Sequence, residues 1–404
     1  MAEAGDRLAP PRSIPSLAAV SAAGRDVVAR DVLVLVAVSL GAALAFYLPY
    51  VLGAPVIDGY PLFHRGMNSL YGMWDGPLYV TAAATLWDTN PANPLFGWYW
   101  LNPRDYAERF PLYPLTIRLL SPVLGYWNGA LFVNVVASTA ASVLIYFLVR
   151  RFGSKDASPL WVAIAAMFWP PRAFLYRYTP LAEPLTLVGV VGTVYFFRSE
   201  RFWLAGLFGL LFTTARPSSP VLVAGFGILA LARLWRAPAG RRMGELWRMR
   251  GLLLMPLALA AIYAWHYLRY GDWLASVHSA DFVAPVLQLY PSLRYYGPGA
   301  EVAPYVFTLA LVGIFELARR RHWDLVLLCA VVYVPALFIP TDVGRYLIPI
   351  LPLALFLAGD RVVSSVPARI GLILSLLLIY LYCWETIYDP AYQAPFGTLR
   401  MMLP

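Results

Sequence analysis

Val32-Leu-Val-Leu-Val-Ala-Val-Ser-Leu-Gly-Ala-Ala-Leu-Ala-Phe-Tyr-Leu-Pro-Tyr-Val51 decides the fold class. It is a run of 20 residues without a charge. Coiled as a helix, about 20 apolar residues span the hydrocarbon core of a bilayer. Arg25 and Arg30 precede the run, which puts its amino-terminal side in the cytoplasm. Residues 1–30 are polar and mixed, with no apolar core of a signal peptide, and read as a cytoplasmic tail.

The rest of the chain has the same character. Its 404 residues are 60% hydrophobic and 13% charged, with mean hydropathy +0.63. A soluble domain is about half apolar and about a quarter charged, so the bias is that of a polytopic membrane protein. The 14 Trp and 26 Tyr suit aromatic belts at two interfaces. The net charge of +9 does not argue for nucleic acid as a partner. The arginines fall in short clusters between apolar runs, where membrane orientation uses them. Cys329 and Cys383 lie inside apolar runs and frame no disulfide. His64, His266, His278 and His322 lack zinc spacing, and no phosphate-binding loop or nucleophile elbow appears in a usable context.

Assigning each arginine cluster to the cytoplasm gives a consistent alternation of about eleven spans plus a doubtful pair. The clusters are Arg150 with Arg151, Arg198 with Arg201, Arg233 to Arg250, Arg319 to Arg321, and Arg361. The expected fold is an all-α bundle of about 11–13 transmembrane helices over residues 31–388, with 389–404 as an outer tail. Two outer segments are long enough to build a site, 53–127 and 269–303. Within the first, Leu78–Leu86 and Leu112–Leu124 are short or Pro-interrupted and read as interfacial or re-entrant helices.

Charges left at a membrane edge are costly and tend to be paired or functional. Asp75 lies in Tyr71-Gly-Met-Trp-Asp-Gly-Pro-Leu-Tyr79, between Trp74 and an apolar segment. A carboxylate there can take a proton from a hydroxyl, with a basicity tuned by burial and neighbouring arginines. The plainer reading is an N-cap, since Asp caps well and Pro77 suits a first turn. Arg216 and Arg345 stand at outer junctions, in Thr213-Thr-Ala-Arg-Pro217 and Gly344-Arg-Tyr-Leu-Ile-Pro349. A guanidinium fork binds phosphate through two parallel hydrogen bonds. The plainer reading is a salt bridge, for example between Asp342 and Arg345. Glu183 opens a span and either orients a substrate or pairs with Arg172 or Arg177.

The ordered set of motifs resembles a known family. A first span is followed by Trp74-Asp75, Phe110-Pro-Leu-Tyr-Pro114, Tyr178-Thr179 with Glu183, the Arg216 break, Tyr270-Gly-Asp-Trp-Leu-Ala275, and Gly344-Arg-Tyr-Leu-Ile-Pro-Ile-Leu-Pro352. From Trp74 to Pro352 the chain resembles the PIG-V-like mannosyltransferases, the family of the second GPI mannosyltransferase, within the GT-C glycosyltransferases. In this sequence Pro180-Leu-Ala separates Tyr-Thr from Glu183, whereas relatives tend to put the acid directly after it. The resemblance implies a polytopic enzyme with an outer-face site. The donor is a polyprenyl-phosphate sugar such as dolichyl-phosphate mannose, and the acceptor is a lipid-linked or glycolipid hydroxyl. No cofactor and no metal is implied. Asp75 takes the position of the base, Arg216 and Arg345 with Tyr346 that of the donor-phosphate site, and Trp74, His64, Tyr113, Glu183 and Asp272 are implied substrate contacts. Competing readings are a flippase for a lipid-linked sugar, and a GT-C enzyme with another sugar or a protein acceptor. A flippase would carry polar residues at mid-membrane depth and repeat symmetry, which the sequence does not display.

Overall fold

The structure, a computed structural model, describes residues 22–53, 61–96, 102–279, 303–337, 343–389 and 393–403. Asp58, Asp342, Trp98 to Trp100 and most of the second outer segment lie outside these residues, as does the expected Asp342–Arg345 pair. The described residues are helical nearly throughout and contain no strand, only an isolated bridge between Met73 and Gln393.

Among them, five helices are long and apolar enough to cross a membrane: Asp26–Leu52, Leu112–Phe152, Ser219–Arg236, Ala239–Tyr270 and Val366–Tyr388. A sixth appears if Pro171–Tyr178 and Glu183–Arg198, bent by 109°, count as one. The chain is an all-α, multi-pass membrane protein. By this measure the spans are fewer than the eleven to thirteen expected. Several of the expected spans are apolar helices shorter than these five. Pro159–Phe168, Phe202–Ala215 and Trp323–Ala336 are apolar but only 10, 14 and 14 residues long.

In chain order the main helices are α1 (Ala22–Leu52), α2 (Gly76–Thr85), α3 (Leu112–Phe152), α4 (Pro159–Phe168), α5 (Pro171–Tyr178), α6 (Glu183–Arg198), α7 (Phe202–Ala215), α8 (Ser219–Arg236), α9 (Arg242–Met249), α10 (Leu254–Tyr270), α11 (Ala303–Arg319), α12 (Trp323–Ala336), α13 (Val343–Leu347) and α14 (Val366–Tyr388). The segment expected as interfacial, Leu112–Leu124, is the first limb of α3. Gly125, at φ +72°, breaks that helix, and Pro122 lies just before the break. The Tyr113 hydroxyl donates to the carbonyl of Ala130 at 3.0 Å, so the first limb packs back along the second.

α6 and α7 form a tight antiparallel pair. A Cβ on Gly189 would lie 2.5 Å from the backbone nitrogen of Phe212, so only glycine permits that approach. The 16 residues of α6 rise about 24 Å and separate two ends of the molecule. Glu183, Arg216 and Arg345 meet at one end. Arg198 with Asp324, Arg233 with Glu200, and Arg320 with Asp360 pair at the other. The arginine clusters used to orient the chain therefore gather at the end opposite Asp75.

Candidate active site

The site begins with a strained turn. Trp74 has φ +42°, a region that bulky side chains rarely adopt. The next two residues explain what holds it there. A Cβ on Gly76 would stand 2.4 Å from Pro180, so the start of α2 is pressed against the turn that precedes Glu183. The main chain of that turn is fixed by the side chain of Asn134, which donates to the Thr179 carbonyl, and by Tyr47, which donates to the Tyr178 carbonyl at 2.9 Å. At the other end of α2, Arg118 donates to the carbonyls of Ala83 and Ala84.

Asp75 occupies the N-cap position of α2, yet its side chain makes no capping hydrogen bond. The capping reading is therefore set aside. The carboxylate turns instead to two guanidinium groups. Oδ2 lies 2.9 Å from Arg345, and Oδ1 lies 3.4 Å from Arg109. Glu183, 1% exposed, receives Arg216 at 2.7 Å and also Arg345, both through Oε1. Its Oε2 is buried and has no hydrogen-bond partner. Arg109 also pairs with Glu108 at 3.0 Å. The result is one alternating chain of charges: Glu108, Arg109, Asp75, Arg345, Glu183, Arg216.

Aromatic rings form its walls. Arg345 lies over Tyr176, Arg216 over Tyr346, and Arg109 over Tyr79. Trp74 packs on Tyr176 with ring centroids 5.0 Å apart, and Arg172 lies over both rings. With Arg172 counted, four guanidinium groups face three carboxylates, an excess of one positive charge. Burial pushes the Asp75 carboxyl up, but Arg109, Arg345 and Arg216 outweigh it and hold the carboxyl at about 2, against an ordinary 3.8. Asp75 is ionised at neutral pH and able to accept a proton, though weakly basic while both arginines hold it.

Six of the residues singled out in the sequence come together: Trp74, Asp75, Glu183, Arg216, Arg345 and Tyr346. Tyr113 stands one layer behind, its ring 5.0 Å from that of Tyr79. His64 and Asp272 do not join them. His64 is exposed, bonded to the Pro61 carbonyl and to Arg65, and its ring faces Tyr388. Asp272 instead pairs with Arg104 at 2.8 Å and His278 at 2.9 Å, tying the two outer segments together. Arg177 donates to the carbonyls of Ser138 and Ala166 and serves the fold.

The sequence reading assigned no site role to Arg109, Glu108 or Arg172. Arg109 directly precedes Phe110-Pro-Leu-Tyr-Pro114, and that adjacency was the signal available for it. Among the described residues no three His, Cys, Asp or Glu side chains gather as a metal site would require. No family model and no curated protein matches the chain.

Proposed function

We propose that this protein is a membrane glycosyltransferase of the GT-C type. It moves a hexose, with mannose the first sugar to test, from a polyprenyl-phosphate donor to a hydroxyl of a lipid-linked or glycolipid acceptor. The reaction takes place on the extracytoplasmic face, with Asp75 as general base. One observation carries the reading. A half-buried carboxylate that caps nothing shares an arginine, Arg345, with a second, buried carboxylate whose other oxygen is unpartnered.

The chemistry needs few groups. The acceptor oxygen forms a bond to the anomeric carbon as its proton passes to Asp75. The bond from that carbon to the phosphate oxygen breaks, and its electron pair leaves with the polyprenyl phosphate. A phosphate leaves without a general acid, and Arg216 and Arg345 stabilise the charge that develops on it. A single displacement inverts the anomeric centre.

Asp75 and Glu183 hold the arginines that the donor phosphate would need. Donor binding then means exchange: the phosphate takes Arg345 and Arg216, and Asp75 keeps Arg109 alone. Losing a cationic partner makes a partly buried carboxylate a stronger base. The base is thus strengthened once the donor has arrived.

Radiolabelled sugar transfer in purified membranes tests this. Polyprenyl-phosphate mannose and a glycolipid extract serve as substrates, with wild type and Asp75→Asn compared. Label moved into the acceptor by wild type alone supports the reading. Donor translocation without transfer would favour the flippase instead.

A further inference from the structure

At the end opposite Asp75, α8 runs into an elbow, Ala237-Pro238, and then into the short helix α9. Two arginines there have a structural job. Arg233 pairs with Glu200 at 2.7 Å and also with Glu245, and Arg248 pairs with Glu200. These contacts lock α8 and α9 onto the turn between α6 and α7. Four others, Arg236, Arg241, Arg242 and Arg250, are exposed and have no carboxylate partner among the described residues. Six guanidinium groups against Glu200 and Glu245 leave an excess of four positive charges.

The same elbow carries an apolar face. Met243, Leu246 and Trp247 are 65%, 49% and 61% exposed and share one side of α9, while Met249 is buried. Trp235 is 80% exposed. Two of those four arginines lie over exposed rings: Arg242, which also donates to the carbonyls of Ala237 and Trp235, over Trp235, and Arg250 over Trp247 and over Trp203 of α7. Exposed apolar side chains with cations stacked on them suit a helix that lies in a membrane interface, with its rings at headgroup depth.

We propose that the elbow from Trp235 to Arg250 is a binding site for anionic phospholipid. The Met243–Leu246–Trp247 face enters the boundary between headgroups and acyl chains. Arg236, Arg241, Arg242 and Arg250 hold phosphates whose charge, unlike that of a zwitterionic lipid, is not balanced by an amine. Charge complementarity selects this occupant, since each basic side chain near a membrane surface adds to its affinity for anionic lipid. The site is independent of the reaction proposed above.

The full chain in nanodiscs of phosphatidylcholine with a minority of phosphatidylglycerol supplies the test. Lipids retained after transfer to detergent are counted by native mass spectrometry. Wild type should retain phosphatidylglycerol at least about tenfold above its share of the mixture, and less in high salt. The combined Arg236→Gln, Arg241→Gln and Arg242→Gln variant should lose that enrichment with an unchanged Tm in pure phosphatidylcholine. Arg233→Gln should do the opposite, lowering Tm while enrichment stays. If the combined variant fails to fold, quenching of wild-type tryptophan by brominated phosphatidylglycerol is compared with Trp235→Phe and Trp247→Phe. Quenching that those two variants reduce supports the site. No enrichment in wild type, full enrichment in the combined variant, or quenching indifferent to both tryptophans would overturn it.

Discussion

The two ends of the bundle each bury a carboxylate, and they treat it differently. Asp360, wholly buried, is satisfied on both oxygens. Oδ1 accepts from the Ser154 hydroxyl at 2.9 Å, the Arg320 guanidinium at 3.0 Å and the Arg361 backbone at 2.8 Å, and Oδ2 accepts from the Ser154 backbone. Glu183 crowds two arginines onto one oxygen and leaves the other bare. Asp75 spreads its oxygens over two arginines that each also serve another acid. A fully satisfied buried carboxylate is a lock, because any exchange of partner costs it a hydrogen bond. Carboxylates that share their arginines lose less when an incoming anion takes one. Under the proposed function that contrast separates a structural end from a reactive one, and it can be attacked from either side.

The largest effect is expected at Asp75. Asn keeps the shape, and because the residue caps nothing the loss to the fold is confined to the ion pairs with Arg345 and Arg109. It cannot accept a proton at neutral pH. Turnover should fall by about 10²–10⁴, the usual worth of a positioned base, while donor binding holds and Tm falls only by the share of the two lost ion pairs. Turnover near that of wild type would move the base elsewhere, Glu183 being the next candidate, and the contrast would lose its reactive half.

Arg345→Ala comes next. A hydrogen bond to a charged group contributes about 1.5–3 kcal/mol, so donor affinity should weaken by about 10- to 150-fold. Arg345→Lys should fall between the two, because it keeps the charge but loses the fork. Donor titration of the three proteins checks the order. Equal affinity in wild type and Ala would make Arg345 a structural partner, like Arg320. At the locked end the sign reverses. Asp360→Asn should cost about 1.5–3 kcal/mol of stability through weaker hydrogen bonds to Arg320 and Ser154. Turnover per folded molecule should not change. Lost turnover at full stability would show that the two ends communicate.

The sequence made the membrane class and one half of the contrast legible. The uncharged run from Val32 and the recurring arginine clusters announced helices and ends, because bilayer thickness and loop charge act on local sequence. Asp75, Arg216 and Arg345 were visible as charges at apolar junctions. What stayed hidden needed distance information. Asp75 and Arg345 are 270 positions apart, and nothing local says that they touch. Arg172 was visible as a possible partner of Glu183, but nothing local tied Arg109 to Asp75. Asp75 also has the composition of an N-cap, and only the direction of its side chain excludes that role. His64 and Asp272 were implied substrate contacts, but His64 bonds within its own loop and Asp272 bridges to Arg104 in the other outer segment. Hydropathy marked the apolar runs without giving the lengths of their helices, which only the structure shows.

The smallest effect is the most specific to partner exchange, and it concerns pH. With Arg109, Arg345 and Arg216 around it, the Asp75 carboxyl is held at about 2, below its ordinary 3.8. A carboxyl lowered on folding stabilises the fold above its ordinary value and loses that contribution as pH falls towards about 2. In kcat/KM for the donor, which reports free enzyme, the acid limb from Asp75 should therefore lie at the bottom of the measurable pH range. The groups facing Asp75 are Arg109, Arg345, Arg216, Glu183 and Tyr79, and of these the donor phosphate recruits Arg345 and Arg216. With them engaged, burial is opposed by Arg109 alone and the carboxyl rises. The acid limb of kcat, which reports the donor complex, should then lie at least about one pH unit above that of kcat/KM, a tenfold change in proton affinity. Arg109→Gln should raise both limbs, because it removes the partner that stays behind. Coincident limbs in wild type would mean that Asp75 keeps Arg345 with the donor in place. The site end would then be locked as Asp360 is, and the phosphate would have to be held by Arg172 and Arg216.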